Sequence, residues 1–74
     1  MNTRKWITIS THYDNVSYCL NMPCRRILKN VVKQANSIVD ELIHTHRCEK
    51  VNVVIRHQRF GKVLTQWSYT PTYR

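Results

Sequence analysis

His44-Thr45-His46-Arg47-Cys48 is the densest run of metal-ligating and proton-moving groups in this 74-residue chain, and Cys19 and Cys24 supply two further thiols. Zinc sites need ligands at spacings that bring three or four of them onto one point. An i, i+2 pair of histidines does not share a helical face, and no cysteine spacing here matches a zinc module. Neither a metal nor any other cofactor is therefore expected. Cys24 lies beside Arg25 and Arg26, the setting in which a thiol becomes nucleophilic, but no base stands at a fixed spacing from it. Asp14, Asp40, Glu41 and Glu49 are the only carboxylates, and none forms a pair suited to two-carboxylate or two-metal chemistry. His12, His44, His46 and His57 could serve a small nuclease as acids and bases, yet no spacing unites them. The expected protein is not an enzyme, and no catalytic residue is assigned.

Charge gives the stronger signal. Twelve Lys and Arg oppose four Asp and Glu, for a net charge of +8 and a pI near 10.0. Such an imbalance favours polyanionic partners. The stretch Met22–Ile43 carries Arg25, Arg26, Lys29 and Lys33 near its start and Asp40 and Glu41 near its end. A helix dipole prefers the reverse order, so an external anion such as a phosphate backbone would complete the arrangement. A second basic cluster, Arg56, Arg59 and Lys62 around Phe60, reads as a hairpin able to grip phosphates or stack on a base. The expected function is a small nucleic-acid-binding module using both clusters, with DNA and RNA left open. The alternative is a compact inhibitor or adaptor, of the kind phage or mobile elements encode, that docks its basic face on an acidic protein surface.

These residues need elements to hold them. Alternating apolar positions and β-branched residues predict strands over about 4–11, 16–20, 51–57 and 62–69. Asp14-Asn15 is suited to the tight turn of a first hairpin, and Gly61 is expected to supply a positive φ in the second. Pro23 is expected at the first position of a helix over about 23–45, with Asn21 read as its cap. Its face of Ile27, Leu28, Val31, Val32, Ala35, Ile38, Val39, Leu42 and Ile43 is continuous and apolar. Residues 70–74 form a tail expected to fray.

The order ββαββ predicts an α+β domain of two layers: a four-stranded antiparallel sheet with one face covered by a single amphipathic helix. The other face would show Trp6, Val54 and Leu64 and is a candidate for homodimerisation or base stacking. An apolar fraction of 42% and one glycine fit an ordered domain. No stretch reaches the ~18 apolar residues that would span a bilayer, and no membrane partner is expected. Three cysteines without framework spacing, and no N-terminal apolar segment, point to the cytoplasm.

Overall fold

Asp14 and Asn15 both adopt left-handed backbone, with φ of 50° and 63°. Two successive positive φ values close a two-residue hairpin whose twist matches that of its strands. The structure, a computed structural model, describes residues 4–73. The hairpin joins β1 (Lys5–Tyr13) to β2 (Val16–Cys24), and α1 (Leu28–Thr45), β3 (Val51–His57) and β4 (Val63–Tyr69) follow. All strands pair antiparallel in one sheet, in the order β2-β1-β3-β4. The α+β class and the ββαββ order are as the sequence predicts.

Alternation decides which side of each strand is dry. Ile7, Ile9 and Thr11 of β1 and Val51, Val53 and Ile55 of β3 are buried, and they meet Val31, Ala35 and Val39 of α1. The one polar group among them, the Thr11 hydroxyl, donates to the Lys50 carbonyl at 2.8 Å. A helix is about 10 Å across, whereas four strands about 4.8 Å apart present a wider face. α1 therefore covers the two central strands and leaves a groove on each flank. One, of about 470 Å³, has Tyr18, Leu20 and Met22 of β2 facing Ile38 and Leu42. The other, of about 520 Å³, has Trp67 and Tyr69 of β4 facing Val32 and Val39.

Several expected boundaries move. β1 begins one residue later and ends two residues later than expected, β2 runs on to Cys24, β4 begins one residue later than expected, and the helix begins at Leu28 rather than at 23. Pro23 lies inside β2, opposite Trp6. β2 is an edge strand, where a residue without an N–H is tolerated if that position faces outward. Asn21 is consequently a strand residue. Ile27 occupies the cap position with extended backbone and no side-chain cap. Ile27 is 64% exposed and Leu28 is also exposed, so the apolar stripe enters the core only from Val31.

The second turn also differs. Gln58, not Gly61, is left-handed, at φ 85°. Gly61 is required by proximity instead: a Cβ there would collide with the His57 carbonyl oxygen and lie 2.9 Å from its carbon. The tail does not simply fray. The Tyr73 hydroxyl accepts from the Cys48 N–H at 2.9 Å and donates to the Cys48 carbonyl at 3.0 Å, and the Arg47 guanidinium lies over its ring. Arg74 lies outside the described residues. Tyr73→Phe leaves both backbone groups of Cys48 without this partner and is expected to cost about 1–2 kcal/mol, read as a lowered urea midpoint at unchanged m-value.

Candidate nucleic-acid interface

Chain direction sorts the charges before any side chain is considered. Lys5 pairs with both Cys24 and His57, so the start of β1, the end of β2 and the end of β3 share one end of the sheet. Three residues separate β2 from α1 and five separate α1 from β3, so the helix N-terminus lies at that same end. Arg4 and Lys5, Arg25 and Arg26, Lys29 and Lys33, and Arg56, Arg59 and Lys62 thereby gather there, nine of the twelve Lys and Arg. Asp14, in the first turn, Asp40 and Glu41, in the second half of α1, and Glu49, before β3, occupy the other half. The reversed charge order within residues 22–43 is one part of a charge separation along the whole molecule, which is 46 Å long.

At the cationic end the hairpin turn folds toward the sheet face that α1 leaves open. The Arg59 guanidinium sits 5.5 Å from the Trp6 ring centroid and 5.2 Å from that of Phe60. Contacts of this kind attract a cation to an aromatic face. Arg56 is the cross-strand neighbour of Trp6, and Trp6, Thr8, Asn21, Arg56, Arg59 and Phe60 line a depression of about 450 Å³. Phe60 is 89% exposed. Left-handed Gln58 and Gly61 produce this fold-back: the Gly61 N–H donates to the Gln58 carbonyl at 3.3 Å, and the Gln58 N–H donates to Arg4 at 2.9 Å.

Arg25 and Arg26 precede α1 rather than forming its first turn, while Lys29 lies in the first turn and Lys33 in the second; all four are exposed. No acidic residue and no side-chain cap occupy that helix start. The only side-chain hydrogen bonds at Arg26 and Lys33 engage their backbone carbonyls, which accept from Lys5 at 3.0 Å and from Ser37 at 3.1 Å. Among the described residues, the charged heads of Arg26, Lys29 and Lys33 thus remain available. Lys62 is exposed as well. The hairpin and helix clusters, separate in sequence, are joined by Arg4 and Lys5. Arg4 and Lys5, at a strand start, carry no sequence motif; only element order combined with chain direction places them at this end.

The remaining candidates disperse. Val54 stands between Thr8 and Gln66 on the open face, and Leu64 falls at the register shift opposite Ile55 and Arg56. Beside them runs a polar ladder: Thr8 donates to Asn21 at 2.9 Å, Ser10 meets Cys19 at 3.7 Å, and His12 meets Ser17 at 2.7 Å. The expected dimerisation face is therefore largely polar over β1 and β2. His46 stacks on Tyr13 at 3.9 Å between centroids, and His44 Nδ1 lies 2.9 Å from the Asp40 carbonyl. Cys48 is buried. Cys24 ends β2, buried, with its Sγ donating to Gln34 at 3.4 Å; it does not lie in a helical first turn. No group of three or more His, Cys, Asp or Glu is placed to hold a metal ion among the described residues. No helix among them is long and apolar enough to cross a membrane.

Comparison with protein families, with curated proteins and with solved structures finds no match to this chain.

Proposed function

We propose that the protein binds nucleic acid through its cationic end. Lys5, Arg25, Arg26, Lys29, Arg56 and Lys62 contact phosphates, and the Trp6–Arg59–Phe60 stack receives an unpaired base. The observation that carries this reading is the cluster itself, in which the Arg59 guanidinium lies over both the Trp6 and the Phe60 ring and Phe60 is 89% exposed. Flat aromatic and guanidinium faces beside a cationic groove are what sequence-tolerant single-strand recognition uses. The open helix start adds N–H groups pointing toward an anion. Docking on an acidic protein surface would use the same charges. Three free cysteines, one of them exposed, fit residence in a reducing cytoplasm.

Phe60→Ala tests the reading without disturbing the core, because Phe60 is almost fully exposed. Affinity for single-stranded DNA or RNA, measured by anisotropy of a labelled oligonucleotide, should fall by about 1–3 kcal/mol. Thermal stability should stay unchanged. Equal affinity of variant and wild type for single strands would remove the stack from the interface. Absence of binding at low salt, with a protein partner surviving nuclease treatment, would replace nucleic acid by an acidic protein.

A further inference from the structure

β2 is an edge strand. The two-residue turn makes Tyr13–Val16 the first hydrogen-bonded pair of the hairpin, so the pairs that follow are Thr11–Tyr18, Ile9–Leu20 and Ile7–Met22. The hydrogen bond from Gln58 N–H to Arg4 agrees, since it assigns the even-numbered positions of β1 to β3. On β2 the N–H and C=O groups of Ser17, Cys19 and Asn21 therefore point outward. Natural sheets blunt such edges with charges, bulges or proline. β4, the other edge, has a register shift opposite Ile55 and Arg56. β2 has no shift, no charged residue in a chain with sixteen, and one proline near its end. Its inner side is apolar and incompletely covered: Val16 is 57% exposed, and Tyr18, Leu20 and Met22 line the groove beside α1.

We infer that β2 pairs antiparallel with β2 of a second copy, centred on Cys19, to form a continuous eight-stranded sheet. Three features select this occupant. First, the register sets Ser17 against Asn21 and Cys19 against Cys19, using every outward N–H, and leaves Pro23 opposite Asn15, beyond the pairing. Second, on the inner side it sets Tyr18 against Leu20 and Val16 against Met22, so exposed Val16 and the half-buried residues of each copy cover those of the other. Third, antiparallel alignment lays the acidic half of each copy beside the cationic end of the other. Asp14 comes level with Cys24 of the second copy, next to Arg25 and Arg26. A parallel pair would bring the two cationic ends together, at a cost in like-charge repulsion. The inference does not depend on what the cationic end binds.

Molar mass from light scattering across a concentration series tests it. The wild type is expected to form a dimer, and a thiol-specific bifunctional cross-linker should join the copies at Cys19, the only exposed cysteine. Cys19→Lys and Cys19→Asp each set like charges face to face and should weaken self-association by about two orders of magnitude. An equimolar mixture of the two should restore the dimer, with circular dichroism confirming that both are folded. If either variant fails to fold, the wild-type cross-link decides. A wild type that stays monomeric at its highest soluble concentration overturns the inference. So does a dimer that resists Cys19→Lys, or one that the linker cannot capture.

Discussion

Gly61→Ala is expected to destabilise the protein by about 2–3 kcal/mol, the range for forcing atoms into a packed site. The added methyl would meet the backbone of His57, carbonyl oxygen and carbon together. No flexible side chain is available to yield, so the 58–61 turn must open. A core of this size rarely supplies more than ~3–5 kcal/mol, and the loss would populate unfolded chains visibly. Urea denaturation reads the effect as a large drop in midpoint at constant m-value. A change below about 0.5 kcal/mol, typical of unremarkable surface sites, would mean that the turn is not built as described. Because the same turn carries Arg59 onto Trp6, folded Gly61→Ala protein should also bind single strands less tightly.

Affinity for nucleic acid is expected to fall about 10³-fold between about 50 and 200 mM salt, the response for roughly six phosphate contacts. The position of the charges, and not only their sum, should govern it. Lys29→Glu and Lys50→Glu change net charge equally, but Lys29 lies at the cationic end and Lys50 in the opposite half. Lys29→Glu should weaken binding across all sequences and lower the salt slope by about one. Lys50→Glu should leave the slope close to that of the wild type. Equal losses from the two would show that only net charge matters, and the localised interface would fall.

What could be read from the sequence divides along the range of the forces involved. The Asp14-Asn15 turn and the limits of β3 follow from sterics and alternation within a few residues, and both appear as expected. Pro23 misled for a physical reason. A missing N–H suits a helix start and an outward edge position alike, and only the sheet order separates the two. That one residue moved the helix start by five positions and took Arg25 and Arg26 out of it. Gly61 does not take the positive φ that its place in the turn suggests; its role is a close approach to a backbone atom that no local pattern encodes. The site suffered similarly. The helix and hairpin clusters could each be named, yet their union depends on strands and helix running alternately up and down the molecule. The Trp6–Arg59 contact joins residues 53 positions apart, and the Tyr13–His46 stack is equally distant from any sequence motif.

Gathering nine of the twelve cations at one end of a 46 Å molecule and all four Asp and Glu in the other half gives it a large electric moment. In the field outside a polyanion such a body experiences torque as well as attraction. It rotates during approach and arrives with its leading end already facing the target, so fewer encounters are wasted on the wrong orientation. The capture rate would then depend on where each charge sits along the long axis, even for two variants of identical net charge.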